Sequence, residues 1–313
     1  MSTMATLKDS LIATLRKYGA DIVCCGAVGR MRDTAVTKIY PGTKSVVCAA
    51  FRQLRGARRG IEEGSTYYQY TTNAVETLEE TVMPMALLKA AAVLEDHGYM
   101  ALPQRRNQTV MQEKDSTNPE IDYRQIFRGC EKEPQLDFEQ CAVDCGLGER
   151  GCSGSILTDD FGPFQRYVFI LTDAELPADP VVAPHLCDRC GVCAAACPGK
   201  AIDMAKGVDK WQCAVYYAGA NMTKNPFMPP DAFLADPERL QLISGEARLT
   251  PERARAVLDQ LYFYPGVKHG YKTSICGRAC DIACYIHLEE LGALKRQFHT
   301  PFRKREPWAL PLI

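Results

Sequence analysis

The feature that most constrains this chain is a run of four cysteines, Cys187, Cys190, Cys193 and Cys197 in CDRCGVCAAACP, spaced C-x2-C-x2-C-x3-C-P. This is the bacterial ferredoxin run: two-residue gaps let three thiolates close on one 4Fe-4S cubane, and the fourth thiolate, one helical turn on, serves a second cluster. A second set of thiols is therefore required. It exists as Cys213 in KWQCAVYY and Cys276, Cys280 and Cys284 in ICGRACDIAC. Reciprocal exchange of ligands predicts one cluster on Cys187, Cys190, Cys193 and Cys284, and another on Cys197, Cys213, Cys276 and Cys280. Zinc is the alternative for such thiols, but a structural zinc takes four ligands and its paired spacings look different.

The remaining seven of the 15 cysteines, Cys24, Cys25, Cys48, Cys130, Cys141, Cys145 and Cys152, read as core thiols. The N-terminal MSTMATLKDSLIATLRKYG has an amphipathic helical pattern with no apolar export core, so a cytoplasmic location and reduced thiols are expected. The longest mostly apolar stretch, MPMALLKAAAVLE, is interrupted by Pro84, Lys89 and Glu95 and is too short for a membrane span. With 37 Lys+Arg against 38 Asp+Glu, the chain has no global field to gather nucleic acid or a membrane surface.

Along the 313 residues, ADIVCCGAV, KSVVCAAF and RYVFILTD read as buried strands, and Tyr99 to Leu102 as a further one. Apolar positions from Val75 to Val93 have helical spacing, broken at Pro84 into one kinked helix or two consecutive ones. The proline-rich AELPADPVVAP, with Pro177, Pro180 and Pro184, reads as a boundary between domains spanning 1–175 and 176–313. Two clusters alone make an electron wire, and the wire occupies only the rear domain. The front domain is therefore expected to build the site that receives the electrons.

GLGERG, Gly146 to Gly151, has the letters of a dinucleotide fingerprint but follows a helix rather than a strand. Its glycines read better as a helix stop that also lets backbone approach a flat, bulky ligand, with a plain helix cap as the simpler reading. Arg52, Arg55, Arg58 and Arg59 form a basic group for an anionic substrate or a cofactor rim, or a solvated loop.

EQCAVDCGLGERGCSG, LTDDFGPFQRYVFILTDAELPAD, CDRCGVCAAACPGKAI and the late cysteine group together resemble the cobalamin- and iron-sulfur-dependent epoxyqueuosine reductases and reductive dehalogenases. The resemblance covers about residues 131 to 285 and implies an α+β fold: a nitroreductase-like cobalamin-binding domain followed by a ferredoxin-like domain with two 4Fe-4S clusters. It implies a cobalamin held base-off, with Gly146, Leu147, Gly148, Glu149 and Gly151 as cofactor contacts. None of the five histidines sits in a D-x-H-x-x-G corrinoid motif. Glu149 is dehalogenase-like, whereas the tRNA enzymes usually carry an aromatic there, and the late cysteine group ends without the usual proline.

Reductive cleavage of a C–X or C–O bond needs a proton donor. The candidates are Tyr67, Tyr68 and Tyr70, and Glu131 and Glu133 upstream of the loop. The function so implied is reductive cleavage of a small organic substrate, with electrons from an external low-potential donor. The alternatives are the tRNA epoxyqueuosine reductase itself and an electron-transfer or corrinoid-reactivating protein without a substrate of its own.

Overall fold

The computed structural model describes residues 3–106, 134–261 and 274–312. Its helices are α1 (Thr3–Lys17), α2 (Ala35–Ile39), α3 (Arg55–Glu62), α4 (Met83–Asp96), α5 (Phe138–Cys145), α6 (Val192–Ala195), α7 (Lys210–Tyr217), α8 (Arg239–Ser244), α9 (Pro251–Leu258) and α10 (Ala279–Glu290). The strands are β1 (Ile22–Ala27), β2 (Ser45–Arg52), β3 (Ala101–Gln104), β4 (Glu149–Arg150), β5 (Ile156–Leu157), β6 (Gln165–Thr172), β7 (Ile202–Asp203) and β8 (Gly207–Val208). Mixed helix and sheet is the class expected from the sequence.

The chain folds as two compact units that interleave along it. The first comprises Met1–Ala50, Val82–Leu147 and Tyr167–Val181; the second comprises Phe51–Thr81, Gly148–Arg166 and Val182–Ile313. A single cut at 175 does not describe this division. The physical reason is local: Ala174–Val181, read as a linker, is bound to the first unit. Asp179 N–H donates to the Cys25 carbonyl (2.8 Å), its carboxylate accepts from Cys25 N–H (2.8 Å) and Lys8 (2.7 Å), and Leu176 N–H donates to Ser45 Oγ (2.9 Å). Prolines here stiffen a strap rather than free a hinge.

The first unit is built on a four-stranded sheet ordered β1-β2-β6-β3. β1 and β2 pair antiparallel with Cys24 opposite Cys48, and β3 and β6 pair antiparallel with Ala101 opposite Thr172. Leu7, Leu11 and Leu15, one helical turn apart, bury the inner face of α1, which packs on α4. Pro84 sits in the first turn of α4, where the winding changes from π to α. Before it the chain winds as π-helical turns over Tyr70–Glu76 and Leu78–Val82. α5 is capped by the Asp137 carboxylate, which accepts from Gln140 N–H (2.9 Å), and is stopped by Gly146 at φ +85°.

Among the described residues the second unit has two apolar cores. One joins α3 and α10 through Ile61, Ile282 and Ile286, with Phe164 stacked on Tyr285 at 4.2 Å between centroids. The other packs α7 against α9 around Val215, Ala254 and Val257. The arginine group is divided: Arg52 is exposed at the end of β2, whereas on α3 Arg58 is buried, and Arg55 and Arg59 are half-buried, Arg55 paired with Glu289 and Arg59 with Glu63 at 2.9 Å.

Candidate metal centres

Cys187, Cys190, Cys193 and Cys284 line one small cavity of the second unit, and Cys152 lines it with them. The Cys152 and Cys187 sulfurs are 3.7 Å apart. Gly191, at φ +82°, turns the chain so that α6 starts directly after Cys190 and carries Cys193 inward. Sequence reasoning filed Cys152 among the core thiols because nothing in the spacing ties it to a run that begins 35 residues later. The only available signal was its position beside the glycine loop.

Cys197, Cys213, Cys276 and Cys280 form the other group. Cys213 and Cys197 are the thiols that act electrostatically on Cys276, and Cys276 and Cys213 those that act on Cys280. Cys197 and Cys276 also line a cavity of about 520 Å³ with apolar walls from Ile275, Ala279 and Ile282. Burial pushes the Cys276 thiol up to about 12 and raises Cys280 and Cys284 as well. Such thiols stay protonated until a metal displaces the proton. The two groups are joined through α10, where Cys280 and Cys284 are four residues apart, about 6 Å along the axis at 1.5 Å rise per residue, and through the turn that follows α6, with Cys193 in the helix and Cys197 two residues past its last residue.

The glycine loop is closed by the protein's own backbone. A Cβ at Gly148 would lie 2.1 Å from the Leu157 carbonyl oxygen, across the β4–β5 pair, and one at Gly146 would lie 2.2 Å from the Pro180 carbonyl oxygen. These glycines are required by close chain approach on the side where a Cβ would stand. Leu147 is buried in the first unit, and Gly151 sits within van der Waals contact of the Leu157 side chain.

Glu149 is 3% exposed and faces the start of the ferredoxin run. One carboxylate oxygen accepts from the backbone N–H groups of His185 and Leu186 (2.9 Å for the latter), and the other from Cys187 N–H at 2.6 Å. Three successive N–H donors thus converge on one side chain, which sets the chain direction into Cys187.

Of the candidate proton donors, Glu131 and Glu133 lie outside the described residues, as does Cys130. Tyr68 is 39% exposed. Tyr70 is fully buried with its ring against the Arg58 guanidinium, 4.7 Å away. Tyr67 is buried edge-on to Phe227 and Trp308, at 5.4 and 6.2 Å between centroids. Its hydroxyl and that of Tyr70 have no hydrogen-bond partner among the described residues.

Burial raises the Tyr67 pKa, so the phenol stays protonated. An unpartnered buried hydroxyl costs about 1–3 kcal/mol. Tyr67→Phe is therefore expected to raise the melting temperature by roughly 2–4 °C at neutral pH. The raised folded pKa adds a pH signature. Its stabilising contribution is complete below the unfolded value near 10 and is lost as pH rises through the folded value, so the Phe variant should lose less stability in alkali than the parent. A lower melting temperature in thermal scans would show that the hydroxyl has a partner after all.

Five thiols of the first unit, Cys24, Cys25, Cys48, Cys141 and Cys145, are buried and fill its core. Cys145 Sγ lies 3.5 Å from the Val46 carbonyl and Cys141 Sγ 3.7 Å from the Asp33 carboxylate. Among the described residues no helix is long and apolar enough to cross a membrane.

No family model matches the chain. It is 30% identical over 109 residues to an epoxyqueuosine reductase of Synechococcus sp. (strain RCC307), covering 35% of this chain and 34% of that protein. It is 41% identical over 68 residues to a tetrachloroethene reductive dehalogenase of Desulfitobacterium hafniense, covering 21% of this chain and 12% of that protein. Among solved structures, a catabolic reductive dehalogenase in complex with 3-bromo-4-hydroxybenzoic acid superposes with a TM-score of 0.53 at 16% identity, over 82% of this chain and 36% of that one. A reductive dehalogenase structure concerned with B12-dependent dehalogenation superposes at 0.52, also at 16% identity and with the same coverage. The matched segments span about a third or less of the curated relatives, and the structural likeness is one of fold. The chain is thus similar to both the epoxyqueuosine reductases and the reductive dehalogenases, and is a close match to neither.

Proposed function

We propose that this chain is an iron-sulfur oxidoreductase of the reductive dehalogenase or epoxyqueuosine reductase type, taking electrons from an external low-potential donor through two 4Fe-4S clusters to a base-off cobalamin. Its reaction would be the reductive cleavage of a small organic substrate. The observation that carries the reading is the gathering of the cysteines of the second unit into two groups linked through α10 and through the turn after α6. The thiols, Cys193 buried, Cys190 exposed and the other six half-buried, suit the clusters in kind and number. Cys187, Cys190, Cys193 and Cys284 would hold one, and Cys197, Cys213, Cys276 and Cys280 the other. A cluster moves one electron at a time, and two in sequence supply the pair that a bond cleavage consumes.

The protein's own part is to hold the thiolates, bury them from water and fix the loop that presents them. Glu149 does the last by binding three backbone N–H groups ahead of and at Cys187. The cobalamin enters this reading through the relatives; the close backbone contacts at Gly146 and Gly148 have a packing cause of their own.

The test is anaerobic purification followed by iron and sulfide assay and visible spectroscopy, with and without added cobalamin. About eight iron and eight sulfide per chain support the two-cluster reading. About four in a fully reconstituted sample would remove the second cluster. A base-off corrinoid spectrum on addition supports the cofactor, and absence of binding removes it.

A further inference from the structure

Arg58 is the one Lys or Arg among the described residues that is fully buried, at 1% exposure. Its guanidinium lies between the rings of Tyr70 and Phe164, 4.7 and 4.3 Å from their centroids. One terminal nitrogen donates to the Gln53 side-chain oxygen, the other to the Gly277 carbonyl at 3.3 Å, and Nε has no partner among the described residues. The carboxylate it faces, Asp281, is 3.7 Å away and already engaged more closely. Asp281 accepts from Ser155 Oγ at 2.6 Å and from Arg278 Nε at 2.5 Å. Two guanidinium groups thus share one buried carboxylate; Arg278 keeps 37% of its side chain exposed to water, whereas Arg58 has neither water nor a close carboxylate of its own among the described residues. A buried charge in surplus is strongly unfavourable unless a further anion lies beside it.

The surroundings name that anion. Gly277, which takes the Arg58 hydrogen bond, stands between Cys276 and Arg278, and the Arg278 N–H approaches the Cys276 sulfur at 3.3 Å. Asp281 directly follows Cys280. Besides Gln53, the polar neighbours of Arg58, Gly277 and Asp281, therefore fall on the segment from Cys276 into the first turn of α10, which carries two thiols of the second group. We infer that Arg58 positions the segment from Cys276 to Cys280 at the start of α10 and raises the reduction potential of the cluster bound there. The inference rests on the two-cluster reading above. Reduction adds negative charge to the cluster, and a fixed cation in a dry site stabilises the reduced form more than the oxidised one.

The experiment compares anaerobically reconstituted wild type, Arg58→Met, Arg58→Lys and Asp281→Asn by EPR-monitored redox titration. The second cluster is identified as the signal absent from Cys280→Ala. In Arg58→Met its ratio of reduced to oxidised form at a fixed potential should fall at least tenfold, about 59 mV for a one-electron couple, while the first cluster stays in place. Arg58→Lys, which keeps the charge, should recover most of that shift. Asp281→Asn, which removes the opposing charge, should move the second cluster the other way, and it decides the matter if Arg58→Met does not hold iron.

An unmoved second potential in an iron-replete Arg58→Met or Asp281→Asn overturns the inference, as does an equal movement of both clusters. In either case a full wild-type iron content leaves the two-cluster reading standing. A wild-type chain that holds only about four iron removes both together.

Discussion

Cys193→Ala is expected to lower the iron content from about eight to about four per chain, while Cys152→Ser keeps the full complement. Both residues line the same cavity, so the difference has to come from geometry. The four thiolates of a cubane diverge to reach four separate irons. Cys193, 7% exposed on α6, is the thiol that enters from the helix side. Cys152 lies 3.7 Å from the Cys187 sulfur, and a thiol in contact with another ligand shares that ligand's corner.

Cys152 therefore cannot replace Cys193, but it is placed to replace Cys187. Cys187→Ala should retain more iron than Cys193→Ala, and the double change at Cys152 and Cys187 should lose it. Iron assay and EPR spin counts read the outcome directly. Full iron content in Cys193→Ala would show that the five thiols do not form a ligand group around this cavity. Losing a metal centre also removes folding free energy, so proteolysis of the second unit should accelerate in the same variant.

What could be read beforehand follows the range of the interactions involved. The runs IVCCGA, SVVCAAFR and QRYVFILT announce strands because burial on both faces of a sheet selects β-branched and small residues locally. The ferredoxin run is equally local, since its ligands lie within eleven consecutive residues. The interleaving of the two units is not local. Nothing in RGARRGIE says that α3 joins α10 in one core rather than lining a surface, because an arginine among rings reads the same as one in water.

The same distinction separates Cys152 from Cys187. Their contact depends on the β4–β5 turn and on the Glu149 anchor, neither of which has a spacing rule. Proline misled for the opposite reason. Its restriction of φ is equally at home in a linker and in a strap, and only the Asp179 hydrogen bonds to Cys25 decide between them.

Glu149→Gln is expected to cost the first group its metal while leaving the fold of the first unit intact. In the parent, one carboxylate receives three backbone N–H groups, two on one oxygen and one on the other, in a site 3% exposed. Hydrogen bonds to a charged group contribute about 1.5–3 kcal/mol each, and a buried donor left without its acceptor costs about 1–3 kcal/mol. Glutamine keeps one acceptor oxygen but turns an NH2 towards N–H donors that need an acceptor, so either the Cys187 bond or the His185 and Leu186 bonds are lost.

The loss falls on the three residues that lead into the first cysteine. A ligand displaced there disturbs the entry to the whole cavity, and the expected result is iron content reduced by about half with the second cluster's EPR signal retained. Glu149→Asp, which keeps the charge on a shorter stem, should fall between the two. A cofactor-contact role for Glu149 makes the contrary prediction, with iron unchanged and corrinoid binding lost. If Glu149→Gln holds the full iron content and its melting temperature does not move, the carboxylate is not what orients Cys187.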